Sequence, residues 1–188
     1  MDPKYSNIFW HQGVKIFEEK LLKTESGRLR IDHLENDITK ALLNLFEHCS
    51  SVVLKSFLNL INVKDAASSF EFDFQVTDTN KYRQHHRKIM LCIVSDYKQP
   101  KSDRSYSSNI TIPDACVFNN KTVILIEAKT QSPLIEEQID GHIKNYLGSD
   151  TKKVTITWEQ VSEQLKKIRI SLKPLDTFLI KPCPMNPT

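Results

Sequence analysis

A short apolar run near the middle of the chain places the strongest constraint on the fold. Residues 122–126 are apolar except for Thr122, are mostly β-branched, and follow the turn-forming residues 119–121. A run of this length and composition predicts a β-strand that is buried on both faces. Residues 112–118, on the other side of the turn, are then expected to form the antiparallel partner strand of a β-hairpin.

Charged residues stand at one end of this predicted hairpin. Glu127 and Lys129 directly follow the apolar run and share one face of the strand, while Ala128 points to the other face. Antiparallel pairing across the turn places Asp114, on the preceding strand, roughly opposite them. Two carboxylates and an ammonium group are therefore expected to meet at the end of a core hairpin.

This combination of charges predicts a functional site. Burying charges costs several kcal/mol unless they are well compensated. Paired carboxylates are ligands that Mg²⁺ prefers, and this cation also binds substrate phosphate. A bound cation can activate water, and a neighbouring lysine can orient that water or stabilise developing negative charge. Without a metal, repulsion between the carboxylates is expected to raise the pKa of one of them.

The two charged segments resemble the two halves of the motif of the PD-(D/E)xK nuclease superfamily, with Pro113-Asp114 as the first half and Glu127-Ala128-Lys129 as the second. The resemblance covers about residues 32–156. It implies the fold class α/β (mixed α+β), with a restriction-endonuclease-like α-β-β-β-α-β core in which helices flank a central mixed sheet. The order of predicted elements agrees, since strands expected at 70–77 and 89–94 precede the hairpin and a strand at 153–156 follows it.

The helix before these strands contributes a further acidic residue. Asp32 and Glu35 form a capping-box pattern, which predicts that a helix begins at Asp32. On this pattern alone, Glu35 would complete the cap. The resemblance instead implies that Glu35 faces the metal, with Asp37 as the alternative.

Two helices are predicted after the hairpin. Ser132 as N-cap and Pro133 at the first position predict the start of one, and Gly148 fits its end. Gln138 and His142 share a face of it, and the resemblance implies that Gln138, together with Tyr146, supports the site. A capping box at residues 157–160 predicts the second helix, through residue 168.

The resemblance implies an endonuclease that depends on Mg²⁺ or Mn²⁺, with DNA rather than RNA as the expected substrate. The implied catalytic residues are Asp114, Glu127, Lys129, Glu35 and Gln138, and the implied metal ligands are Asp114, Glu127 and Glu35. Similar domains are nuclease effectors of bacterial anti-phage defence and restriction enzymes. Two alternatives stay open: a catalytically silent nuclease fold that binds nucleic acid or assembles a complex, and an interaction module of a larger complex.

A basic stretch supports a nucleic-acid partner. Between residues 80 and 109, seven cations meet only two aspartates. Such a patch can neutralise phosphates, although charge runs of this kind are more often solvated loops. The predicted phosphate-binding residues are Lys81, Arg83, Arg87, Lys88, Lys98, Lys101 and Arg104. Interleaved tyrosines, among them Tyr82, could stack on unpaired bases.

Length and composition fit one domain in a reducing compartment. The 188 residues carry a net charge of +3. We expect an N-terminal helical extension (1–31), a nuclease domain (32–180) and a proline-rich tail (181–188). The four cysteines are widely spaced, which favours a cytoplasmic protein. No apolar stretch is long enough to span a membrane, and no membrane partner is expected. The expected partners are nucleic acid and a second copy or another protein.

Overall fold

The computed structural model describes residues 24–64, 69–95, 111–130 and 132–168. The helices there are α1 (Thr24–His48), α2 (Ser51–Leu60), α3 (Glu136–His142), which continues as a π-helical segment (Ile143–Leu147), and α4 (Trp158–Ile168). The strands are β1 (Glu71–Phe74), β2 (Arg87–Val94), β3 (Ala115–Phe118), β4 (Thr122–Ala128) and β5 (Lys152–Thr157).

The strands form one five-stranded mixed sheet in the order β1-β3-β4-β2-β5. Strands β3 and β4 form the predicted antiparallel hairpin, with Ala115 opposite Ile126. Strand β2 pairs in parallel with β4 on one side and with β5 on the other. A mixed α/β fold with helices flanking a mixed sheet is therefore confirmed, while the specific nuclease core stays a prediction.

Strand β4 is buried along its whole length, as predicted. Ile124 and Ile126 pack on the face covered by α1, α2 and α4. Val123 and Leu125 pack on the opposite face, which α3 and the π-helical segment cover. Because side chains alternate along a strand, only a sheet covered on both faces buries every position of β4.

The carboxyl ends of β2, β4 and β5 lie at the same end of the sheet, since Ile93 is level with both Ala128 and Ile156. Strand β3 is antiparallel to β4, so it begins at this end. Residues after the parallel strands and before β3 therefore gather in one place. The carboxyl ends of parallel strands are the usual location of ligand sites in open α/β sheets.

Two helix starts differ from the predictions. Helix α1 begins at Thr24 and not at Asp32, so it crosses the predicted boundary between residues 31 and 32. Extending an existing helix is easier than nucleating a new one, which explains why a capping pattern does not interrupt it. Helix α3 begins at Glu136 and not at Ser132, because the Ser132 hydroxyl donates to Glu35.

Two strands are shorter than predicted, since β1 ends at Phe74 and not at residue 77, and β3 begins at Ala115 and not at residue 112. Two predicted element ends are confirmed. Gly148 ends the π-helical segment with a positive φ of 96°. At the start of α4, the Thr157 N–H donates to the Gln160 side chain at 2.9 Å and the Gln160 N–H donates to the Thr157 hydroxyl at 3.2 Å. This is the predicted capping box. None of the helices in the described ranges has both the length and the apolar character needed to cross a bilayer.

Candidate active site at the carboxyl end of the central strand

The hairpin brings Asp114, Glu127 and Lys129 together, as the sequence predicts. The β3–β4 register, continued by one residue, sets Asp114 opposite Glu127. A side-chain oxygen of Asp114 accepts a hydrogen bond from the Ala128 N–H at 2.8 Å. The Lys129 ammonium lies 2.9 Å from Oε1 of Glu127.

Glu127 is a buried carboxylate held by several donors. Its side chain is 1% exposed. Oε1 also accepts from Nε2 of Gln138 at 2.7 Å, and Oε2 lies 3.1 Å from Nε2 of His142. Burial acts to raise the pKa of Glu127, but the hydrogen bond from His142 and the charge of Lys129 outweigh it, so the pKa lies below its ordinary value.

The pKa of Asp114 shifts in the opposite direction. Burial, followed by the nearby charge of Glu127, raises the pKa of Asp114 to about 8. The hydrogen bond from Ala128 and the charge of Lys129 oppose this shift without overcoming it. The predicted rise in one carboxylate pKa therefore occurs at Asp114, and burial contributes more to it than repulsion does.

Lys129 links the hairpin to helix α1. Its ammonium lies 3.4 Å from Oε2 of Glu35. Oε1 of Glu35 accepts from the Thr130 N–H and from the Ser132 hydroxyl, both at 2.8 Å. Burial acts to lower the pKa of Lys129, but the charges of Glu127, Glu35 and Asp114 raise it above its ordinary value. Lys129 is therefore a cation with fixed carboxylate partners.

The backbone of Lys129 is also fixed. Its N–H donates to the carbonyl of Ile93 at 2.7 Å. Its carbonyl accepts from the indole N–H of Trp158 at 3.2 Å. The first residue of α4 thus holds the position where β4 ends, a contact that sequence reasoning did not identify.

Gln138 lies in the site, whereas Tyr146 contacts it through His142. His142 is completely buried and touches Glu127 directly, yet no function was predicted for it. The signal was present in the sequence, because residues four apart on a helix share a face and Gln138 had been assigned to the site.

Asp114 and Glu127 are the two carboxylates that could bind a hard cation at this site. Within the described ranges, no three His, Cys, Asp or Glu side chains are grouped so that they could hold a metal ion between them. Mg²⁺ does not require such a cage, because it commonly binds one or two carboxylates and keeps its waters. Asp114 and Glu127 supply two such carboxylates, and a cation would offset their repulsion. A metal-binding role for Glu35 stays a prediction, since its described contacts are to Lys129, Thr130 and Ser132.

Three of the described basic residues have partners outside the charged residues of this site, and Arg87 lies at the start of β2. Arg87 and Lys88 begin β2, whereas Glu127 is level with Cys92, which at about 3.3 Å per residue is about 13–17 Å further along the strand. Lys88 pairs with Asp150 at 2.8 Å, and Lys81 pairs with Asp73 at 2.6 Å. Tyr82 is buried, which contradicts its predicted role in base stacking.

Arg83 has a structural partner as well. Its guanidinium donates to the carbonyls of Lys144 and Asn145 in the π-helical segment, at 2.9 to 3.3 Å. Cations at this position stabilise the end of a helix. Lys98, Lys101 and Arg104 lie outside the described residues, and phosphate binding by the seven cations stays a prediction.

No protein-family model, curated protein or solved structure matches this chain. Function therefore has to be inferred from the geometry of the site and from the resemblance of its two short motifs.

Proposed function

We propose that the protein is a metal-dependent nuclease that hydrolyses phosphodiester bonds, with DNA as the expected substrate. The observation that carries this proposal is the meeting of Asp114, Glu127 and Lys129 in one buried corner of the sheet. The opposite pKa shifts of the two carboxylates add support, because perturbed titratable groups cluster at functional sites.

Asp114 and Glu127 would hold Mg²⁺ or Mn²⁺. Such a cation, when bound, polarises the phosphoryl group and makes an attacking water more acidic. Asp114 must release its proton to bind a cation, so binding is favoured as the pH rises toward about 8. Glu127 needs no such change, since its donors already stabilise the ionised form.

Lys129 would act as a hydrogen-bond donor and fixed positive charge. A pKa above the ordinary value keeps the ammonium protonated at neutral pH, so Lys129 does not serve as the general base. It can orient the attacking water and stabilise negative charge that develops on the phosphoryl oxygens. Glu35 holds the ammonium in place for this task, because it is bonded both to Lys129 and to the backbone of Thr130.

The preference for DNA and a role in anti-phage defence or restriction rest on the resemblance of the motifs alone. So does a homodimer, which many such nucleases need to cut both strands. A measurement of solution mass tests the dimer directly.

The main alternative is a nuclease fold that binds nucleic acid or assembles a complex without turnover. One observation favours it: Lys129, Gln138 and His142 satisfy Glu127 without a metal. The position of Asp114 beside Glu127 favours the nuclease, because burial and the charge of Glu127 make the ionised form of Asp114 unfavourable in the absence of a cation.

The decisive experiment compares cleavage of plasmid, linear duplex, single-stranded DNA and structured RNA with Mg²⁺, Mn²⁺ or EDTA. We expect metal-dependent cutting that Asp114→Asn and Lys129→Met each reduce at least about a hundredfold. Asp140→Asn and Lys144→Met, at exposed positions on α3 and the π-helical segment, serve as matched controls and should cut normally. A folded wild type that cuts no substrate and binds no Mn²⁺ through Asp114 would favour the alternative.

A further inference from the structure

Three side chains at four-residue spacing, Gln138, His142 and Tyr146, lie behind Glu127. Gln138 and His142 share a face of α3, as i and i+4 residues do. His142 and Tyr146 repeat this spacing, and their rings are in contact. Tyr146 lies in the π-helical segment, which is closed by the bond from the Gly148 N–H to the Ile143 carbonyl at 2.7 Å.

The His142 ring is tightly confined. It is completely buried, and the Tyr146 ring packs against it edge-on with centroids 6.1 Å apart. Its Nε2 faces Glu127, whereas Nδ1 is buried and has no hydrogen-bond partner in the described part of the chain. The side chain therefore has one polar contact, and that contact is to a site carboxylate.

The geometry also selects the tautomer. A proton on Nε2 makes the contact to Glu127 a hydrogen bond, whereas a proton on Nδ1 alone would set the Nε2 lone pair against a carboxylate oxygen. The contact to Glu127 therefore requires a proton on Nε2.

We propose that His142 is the positioning residue of Glu127: its Nε2–H holds Oε2, while Gln138 and Lys129 hold Oε1, so that the carboxylate keeps one orientation beside Asp114. The expected effect on Mn²⁺ affinity rests on the proposed function. Tyr146, whose ring packs against that of His142, restricts the orientation of the imidazole. Groups that orient metal ligands in this way typically affect metal affinity strongly.

Two substitutions of similar polarity separate positioning from packing. His142→Gln places its amide N–H near the position of Nε2 and can still donate to Glu127. His142→Asn places its amide near the position of Nδ1 and cannot reach Glu127. If His142 only fills space, the two variants should behave alike. His86→Asn, at an exposed position next to the far end of β2, is the matched control.

The first measurement is Mn²⁺ affinity by calorimetry, with thermal unfolding recorded for every variant. We expect His142→Asn to weaken Mn²⁺ binding about 10- to 100-fold and His142→Gln to stay within about threefold of wild type. The control should bind as wild type does. Equal affinities for wild type and a folded His142→Asn variant would overturn the inference.

The second measurement does not depend on a metal. Nitrogen NMR of isotope-labelled histidine in the metal-free protein should report the Nε2–H tautomer for His142, and Glu127→Ala should shift that signal. An Nδ1–H tautomer, or a signal that ignores Glu127→Ala, would overturn the inference. Failure of the wild type to bind Mn²⁺ would contradict the proposed function instead, so the two failures are distinguishable.

Discussion

At the scale of single residues, the two carboxylates of the site differ because their donors differ. Glu127 receives hydrogen bonds from two side chains and the charge of Lys129. The carboxyl group of Asp114 receives one hydrogen bond, from the Ala128 N–H, within the described residues. Burial raises the pKa of a carboxyl group unless donors stabilise the anion. The pKa values of Asp114 and Glu127 therefore shift in opposite directions.

The raised pKa of Asp114 predicts a pH dependence of stability in the metal-free protein. Between its unfolded value of about 3.9 and its folded value of about 8, the folded chain keeps a proton that the unfolded chain has released. The free energy of unfolding should therefore decrease as the pH rises through this window, by at most about 1.4 kcal/mol per pH unit.

Urea unfolding in EDTA at several pH values measures this slope. Asp114→Asn should remove most of it, because asparagine does not titrate, whereas Asp140→Asn should leave it unchanged. A slope that survives in Asp114→Asn would show that the carboxyl group is not buried as described.

Glu35 is expected to contribute strongly to stability. Glu35→Leu leaves the Lys129 ammonium, the Thr130 N–H and the Ser132 hydroxyl without this acceptor. Removing one partner of a buried ion pair costs about 3–5 kcal/mol. Chemical denaturation should show a loss of this size. Glu47→Leu, on the exposed side of the same helix, should change the free energy of unfolding by less than about 0.5 kcal/mol.

At the scale of elements, the unit formed by α3 and the π-helical segment ends where the backbone conformation of one residue differs from that of a helix. This residue is Gly148, whose φ of 96° is favourable only for glycine. Its other glycine, Gly141, lies inside α3, where an added Cβ would meet nothing within 4 Å. The two glycines of one element therefore have opposite roles.

Alanine at these two positions should change stability in opposite directions. Gly141→Ala should stabilise the protein by about 0.5–1 kcal/mol, because it favours the helix and restricts the unfolded chain. Gly148→Ala should destabilise it by about 1 kcal/mol or more through backbone strain, since the nearest atoms, 3.7 and 3.9 Å away, allow ordinary contact. Thermal unfolding of both variants checks the pair, and equal shifts would contradict the helix end at Gly148.

At the scale of the whole molecule, one sheet separates two apolar cores and presents the charged residues at one end. This arrangement leaves the site on the rigid ends of paired strands. It also separates the site from the described cations at the start of β2.

Burial of the sheet on both faces is tested by two neighbouring residues. Ile124→Ala removes contacts on the side of α1 and α2, and Leu125→Ala removes contacts on the side of α3. Each should cost about 2–5 kcal/mol in urea unfolding. Val52→Ala, at a position that is 41% exposed, should cost much less. A small effect of Leu125→Ala alone would mean that the face below α3 is open.

Local patterns in the sequence were sufficient to predict the hairpin and the proximity of Asp114, Glu127 and Lys129. The apolar run defines a doubly buried strand, the turn defines the register, and a period of two places the charges on one face. The capping box of α4 could also be predicted, because its hydrogen bonds join residues three apart. Interactions that close within a few residues, or across a tight turn, depend little on the rest of the chain.

Only the tertiary structure decided which groups surround these charges. Glu35 reaches Lys129 from a helix 94 residues away in sequence, and its capping pattern pointed to a local role that the fold does not use. The contact between His142 and Glu127 and the ion pair between Lys88 and Asp150 likewise depend on packing between separate elements. Sequence spacing determines which face a side chain occupies, whereas its partners are determined by which elements pack on that face.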